Sequence, residues 1–167
     1  MIRSPRLFLT CVAVCALIFM ADQWTKNWFV ANFALYEQFP VIPDLFSFTL
    51  AHNRGAAFSF LSSAGGWQRW FFIGIATVVS IGLAVWMGRL DGKQKLQAVA
   101  LTLILGGALG NLWDRVFLGH VVDFILIHYK QSWFFPAFNL ADMGITLGAG
   151  LMILDMFINP ESIENPQ

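Results

Sequence analysis

Between Lys95 and Asp114 the chain reads LQAVALTLILGGALGNLW, residues Leu96–Trp113, and this stretch decides the fold class. No charge interrupts it, and its length is close to the ~20 apolar residues that a helix needs to cross a bilayer. A soluble helix of that length would carry a charged face. The polar residues come only at its far end, where Asn111, Asp114 and Arg115 follow one another at i, i+3 and i+4. That spacing puts all three on one helical face at the edge of the hydrocarbon. Gly106 and Gly110 form a G-x-x-x-G, which lets a second helix approach closely.

Three further segments have the same character. Leu7–Ala21 extends past Asp22 towards Phe29, Trp70–Gly88 is bracketed by Arg69 and Arg89, and Phe138–Ile158 carries its own Gly144/Gly148 pair. The expected spans are about 7–27, 70–88, 96–113 and 138–158, with helices three and four as neighbours. Composition agrees: 57% of the 167 residues are hydrophobic and 12% charged, about half the charged share of a soluble domain. Lys+Arg 10 against Asp+Glu 10 leaves no net charge, so neither a nucleic-acid surface nor an acidic tail is indicated, and disorder is excluded. Cys11 and Cys15, one turn apart in an apolar run, read as packing or lipid-facing residues.

Arg3 and Arg6 precede an apolar core, as in a cleavable signal, but Phe19-Met-Ala-Asp-Gln-Trp24 follows without a small-x-small cleavage site. The segment is therefore read as a retained first helix. Arg3, Arg6, Arg89, Lys93 and Lys95 crowd the short flanks of one side, which predicts cytoplasmic termini and two long connectors, about 22–69 and 114–137, on the other side. Those connectors are not hydrophilic. Phe46, Phe48 and Leu50 alternate as in a strand with one buried face, Asn53-Arg-Gly55 signals a turn, and Val121–Ile127 reads VVDFILI. With Trp24, Trp28, Trp67, Trp70, Trp113 and Trp133 at the outer boundary, the expectation is a membrane α protein. A four-transmembrane-helix bundle carries a small extracytoplasmic β platform, all in one domain over 1–167.

On this topology Asp22 and Lys26, then Asn111, Asp114 and Arg115, then Asn139 and Asp142 converge at one depth from three helices. Intramembrane carboxylates cost about 2.5–3.5 kcal/mol each on the insertion scale and usually face the bundle or water. Asp22 has Lys26 one turn away, Asp114 adjoins Arg115, and Asp155 sits at the opposite boundary, so these three read as structural. Asp123 and Asp142 have no basic residue within one turn, and desolvation should raise their pKa. Two such carboxylates brought together would share a proton, as in aspartic proteases, where one accepts a proton from attacking water and the other stabilises the oxyanion and protonates the leaving amine. No metal is required. Ser59, Ser62 and Ser63 lack a nucleophile elbow, and His52, His120 and His128 lack metal-ligand spacing. A proton-coupled carrier and a non-enzymatic assembly factor are the competing functions; four spans without repeated halves disfavour the first.

Five pieces of sequence in this order resemble lipoprotein signal peptidase, the signal peptidase II family: Asp22-Gln-Trp-Thr-Lys26, Asn53-Arg-Gly-Ala-Ala-Phe58, Gly106-Gly-Ala-Leu-Gly-Asn-Leu-Trp-Asp-Arg115, Val121-Val-Asp-Phe124 and Phe138-Asn-Leu-Ala-Asp142. The resemblance covers roughly Asp22 to Asp155. It implies a bacterial inner-membrane aspartyl endopeptidase that cuts diacylglyceryl-modified prolipoprotein before the lipidated cysteine. It makes Asp123 and Asp142 the catalytic dyad and Asn53, Gly55, Asn111, Arg115 and Asn139 their supports, while Asp22, Lys26 and Asp114 hold local structure. It implies no cofactor, a short surface helix near Ala56–Gly65, lipid and prolipoprotein as partners, no nucleic acid, and inhibition by globomycin-type cyclic peptides. Leu140-Ala-Asp142 departs from the Gly-x-Gly-Asp of a different intramembrane aspartyl class.

Overall fold

A computed structural model of the chain describes residues 2–55 and 66–159. Four helices, α1 (Pro5–Asn32), α2 (Trp67–Arg89), α3 (Lys95–Phe117) and α4 (Leu140–Ile158), are each long and apolar enough to cross a membrane. The surface helix expected near Ala56–Gly65, and the three connector serines, lie outside the described residues.

Helix α3 is the hub. Of its most apolar window 56% is buried, against 22% or less in each of the other three helices. Small residues make this possible. A Cβ on Gly107 would collide with the Ala141 carbonyl of α4, and one on Gly148 would lie 2.6 Å from Ile104 and 2.7 Å from the Ala100 carbonyl. The two helices are neighbours, as expected, but the glycine pairing differs. Gly106 faces Ile18 of α1, and Gly107, not Gly106, meets α4. An α3 that meets both α1 and α4 closely needs glycine on two faces, which a single G-x-x-x-G does not encode.

Helices α1, α2 and α3 exceed their expected bounds, and the extensions of α1 and α3 have a visible cause. Pro5 opens α1, where its missing N–H costs nothing. The helix then runs on to Asn32 because Asp22 and Lys26 are paired and buried rather than left in lipid. Helix α3 continues past Trp113 because Asp114 is buried and partnered. Helix α4 starts later than Phe138, whose backbone instead pairs with Ile125, and Asn139 caps the helix through a reciprocal box with Asp142.

A four-stranded antiparallel sheet, in the order β1 (Gln38–Ile42), β2 (Phe46–Asn53), β3 (Val121–Tyr129) and β4 (Trp133–Phe134), fills the two long connectors at one end of the bundle. A bulge between Phe48 and Ala51 shifts the register, after which Ala51 lies opposite Asp123. The bulge also breaks the alternation expected for β2. Leu50 is buried, but Phe46 and Phe48 are only half-buried, and the buried positions between them are Ser47 and Thr49. Burial is tolerable for these hydroxyls because Ser47 meets His128 Nε2 at 2.9 Å and Thr49 donates to the Glu37 carbonyl at 2.8 Å.

Two apolar clusters tie the parts together. Cys11, Cys15, Met87, Leu90, Ala98, Leu101 and Leu105 pack α1, α2 and α3 away from the sheet, which makes both cysteines packing residues. At the sheet end, Phe29 of α1 stacks on Phe124 with centroids 4.4 Å apart, beside Leu50 and Val122. This second cluster fixes β3, and hence Asp123, against the end of α1.

Candidate active site

The N-terminus of α4 meets β3 at Asn139, which is fully buried. Its Nδ2 donates to Asp123 Oδ1 at 2.7 Å, and its backbone N–H donates to Asp142 Oδ2 at 3.3 Å. Its Oδ1 in turn accepts from the Asp142 N–H at 2.9 Å. One residue therefore holds two carboxylates that are nineteen positions apart in sequence and come from a strand and a helix. Asp123 is buried, whereas Asp142 is half-buried.

Asn111 is the second bridging amide. Its Nδ2 donates to Asp142 Oδ1 at 2.7 Å, while its Oδ1 accepts from Asn139 Nδ2 at 3.2 Å and from Lys26 Nζ at 2.9 Å. Lys26 Nζ also bonds Asp22 Oδ2 at 2.8 Å and Asp114 Oδ2 at 2.9 Å. Its three N–H donors thus have three acceptors, which is what a buried ammonium requires. The two carboxylates are satisfied too. Asp22 Oδ1 accepts from the Ala141 N–H, Asp114 Oδ2 from the Val122 N–H, and Gln23 Nε2 donates to Asp114 Oδ1 at 2.9 Å.

This arrangement corrects one expectation. The sequence places Asp114 beside Arg115, but the structure pairs it with Lys26, because consecutive helical residues point about 100° apart. Arg115 points elsewhere. Its Nη2 donates to the Gly55 carbonyl at 3.1 Å, its Nη1 to the Asn111 carbonyl at 3.3 Å, and its guanidinium carbon lies 5.4 Å from the Phe72 ring centre. Gly55 N–H bonds Asn53 Oδ1 at 3.0 Å, so Arg115 anchors the turn that carries Asn53. Gln23 was not singled out from sequence. A polar residue inside an apolar span was the signal available for it.

A cleft of about 490 Å³ opens beside Asp142, between α3, α4 and the segment leading to Phe138, with Asp123 buried behind it. Asn53, Asn111, Arg115 and Asp142 form its polar wall; Phe138, Met143 and Leu147 belong to its apolar one. Burial, reinforced by the nearby Asp142, pushes the Asp123 carboxyl up to about 7 against the opposing bonds from Asn53 and Asn139. A carboxyl at that value beside a second carboxylate can hold one proton between the two at neutral pH.

The other polar residues stand apart from this pair. Asp155 is buried and accepts from Asn159 Nδ2 at 2.8 Å. His128 bridges Ser47 and the Lys130 carbonyl. His52 and His120 stack with centroids 3.8 Å apart, and burial first, then neighbouring positive charge, holds both below the ordinary imidazole value. None of the three histidines is hydrogen-bonded to Asp123 or Asp142 among the described residues.

Comparisons with known proteins point in one direction. The family model described as signal peptidase (SPase) II matches residues 14–158. A lipoprotein signal peptidase of Pseudomonas aeruginosa is 56% identical over 162 residues, covering 97% of this chain and 93% of the relative. Another, from Ectopseudomonas mendocina, is 60% identical over 146 residues, covering 87% and 86%. Among solved structures, a bacterial membrane enzyme determined by the in meso method at 2.3 Å resolution superposes with a TM-score of 0.79 at 32% identity, covering 92% of this chain and 91% of that one. A second, determined at 1.9 Å, gives 0.75 at 33%, covering 90% and 94%.

Proposed function

Since the chain belongs to the signal peptidase II family of bacterial membrane proteases that cleave lipoprotein signal peptides, we propose that Asp123 and Asp142 are its catalytic dyad. The observation that carries this is Asn139, which joins the buried Asp123 to Asp142 at the wall of a cleft with one polar and one apolar side. In the resting site the dyad holds one proton. The ionised carboxylate takes a proton as water attacks the scissile carbonyl; the protonated one hydrogen-bonds the developing oxyanion. The tetrahedral intermediate collapses when a carboxyl proton passes to the leaving amine, and the C–N bond breaks.

Asn111, Asn139 and Asn53 orient the carboxylates, and Arg115 holds the Asn53–Gly55 turn over them. The substrate is a diacylglyceryl-modified prolipoprotein, cut on the N-terminal side of its lipidated cysteine. Its acyl chains contribute about 0.8 kcal/mol per buried CH₂ to keeping that bond at the membrane edge. The basic flanks favour cytoplasmic termini, which puts the sheet and the dyad at the extracytoplasmic face of the inner membrane. Globomycin-type cyclic peptides would inhibit by occupying the same cleft.

The test is cleavage by detergent-purified protein of a diacylglyceryl peptide and of the same peptide without lipid, with no ion gradient. Turnover of the lipidated form with little of the other is expected. Equal rates on both would overturn the substrate assignment, and no cleavage of either would overturn the catalytic one.

A further inference from the structure

Lys26 belongs to α1, on the far side of Asn111 from the carboxylates, and nothing in the proposed chemistry requires it to do more than neutralise Asp22 and Asp114. Its third hydrogen bond says otherwise. A buried Lys flanked by two carboxylates already has its charge compensated, yet Nζ spends its remaining N–H on Asn111 Oδ1 at 2.9 Å. An amide can turn end for end, and its orientation is settled only by its partners. An ammonium has no acceptor capacity, so the atom of Asn111 that faces Lys26 must be the oxygen. The atom facing Asp142 must then be the nitrogen, which donates to Oδ1 at 2.7 Å.

Resting on the dyad proposed above, we infer that Lys26 is a positioning residue for the reaction: through Asn111 it determines that Asp142 meets a donor and not an acceptor. Asn139, the other amide on the dyad, is oriented by the backbone instead. Its Oδ1 accepts from the Asp142 N–H and its Nδ2 donates to the Val122 carbonyl at 3.2 Å, so two backbone groups turn that Nδ2 towards Asp123 and the Asn111 oxygen. Of the two dyad carboxylates, Asp142 thereby receives an N–H from an amide whose orientation the ammonium of Lys26 sets directly. If Asn111 turned over, its oxygen would confront a carboxylate oxygen at hydrogen-bond distance, and only a protonated Asp142 could donate a hydrogen bond to it. The site would then hold its base in the wrong state at neutral pH.

The prediction is read in a double-mutant cycle of Lys26→Met and Asn111→Ala, measuring kcat, KM and the pH profile of lipopeptide cleavage, with melting temperature as the control for folding. Each single substitution should lower kcat about tenfold or more with a smaller change in KM, and Lys26→Met should move the acid limb of the profile to higher pH. Because Lys26 acts through Asn111, the double variant should be no slower than Asn111→Ala alone. Additive losses would overturn the inference, since a purely structural Lys or one acting by charge through space remains felt when Asn111 is absent.

Lys26→Met leaves Asp22 and Asp114 without their cation, so the cycle is repeated in an Asp22→Asn background, where the net charge of the cluster is kept. Asn111→Asp supplies a second reading that keeps the contact to Lys26. It presents an acceptor to Asp142 and should be slow, with its acid limb raised; a wild-type profile for this variant would also overturn the inference. Loss of the dyad assignment itself would register differently, as retained turnover in Asp123→Asn or Asp142→Asn.

Discussion

Replacing Gly107 by Ala adds one methyl group at the place where α3 touches the residue before Asp142. The new Cβ would collide with the Ala141 carbonyl and lie 2.9 Å from Ile145 Cγ1, where ordinary contact begins near 3.4 Å. The carbonyl is backbone and cannot rotate away, so the start of α4 must shift, by an amount on the order of 1 Å. Overpacking of this kind costs about 1–3 kcal/mol. Ala is about 1 kcal/mol better than Gly inside a helix, so the net loss of stability is modest, roughly 0–2 kcal/mol. Catalysis is less forgiving, because a displacement of ~1 Å at reacting groups costs on the order of 100-fold. Gly107→Ala should therefore melt only slightly below wild type in detergent yet cleave lipopeptide about 10–100-fold more slowly. Gly150→Ala, on α4 with nothing within 4 Å of its added Cβ, is the control and should keep full activity. If the two variants cleave equally fast, the close approach of α3 to Ala141 does not position Asp142.

Further outcomes concern charge, geometry and topology. Asp123 has its carboxyl raised from 3.8 to about 7, so the proton it holds in the fold stabilises the protein at low pH, and that contribution is lost as pH rises to about 7. Asp123→Asn should therefore melt above wild type at pH 8, with the gap narrowing towards pH 5; a gap independent of pH contradicts the raised value. Arg115→Lys should lose both melting temperature and cleavage, because an ammonium cannot reach the Gly55 and Asn111 carbonyls together while lying over Phe72. Arg89→Lys, at the C-terminal end of α2, should be silent, and equal behaviour of the two would make Arg115 a boundary residue. Reporter tags at the termini and in the 89–95 loop should register cytoplasm and those near Glu37 and Gln131 the other side; a cytoplasmic signal at Glu37 reverses the orientation.

Much of this was legible in the chain because a bilayer leaves few solutions. Four predominantly apolar runs of spanning length can only be helices, and polar residues near their ends must meet one another or water. That logic alone brings Asp22, Asn111, Asp114, Arg115, Asn139 and Asp142 to one level. It could not pair them. Asp114 and Arg115 are neighbours in sequence yet face different ways on α3, and Asp114 finds its cation on α1, a distance in sequence that no local spacing encodes. The β2 alternation failed for a similar reason: a bulge shifts its register on β3, and the buried hydroxyls of Ser47 and Thr49 are accounted for only once their partners are in place. Gly106 and Gly107 look alike in sequence, and only the position of α1 separates their roles.

The most direct measurement is lipopeptide cleavage by purified Asp123→Asn and Asp142→Asn, each first shown by its melting temperature to be folded. Asn keeps the shape of the carboxyl and its place beside Asn139 but can neither take a proton from water nor share one. Both variants should be folded and cleave with little or no turnover, while Asp155→Asn, whose carboxylate bonds only Asn159 among the described side chains, stays active. Near-wild-type turnover in either folded dyad variant would contradict the catalytic role of that aspartate.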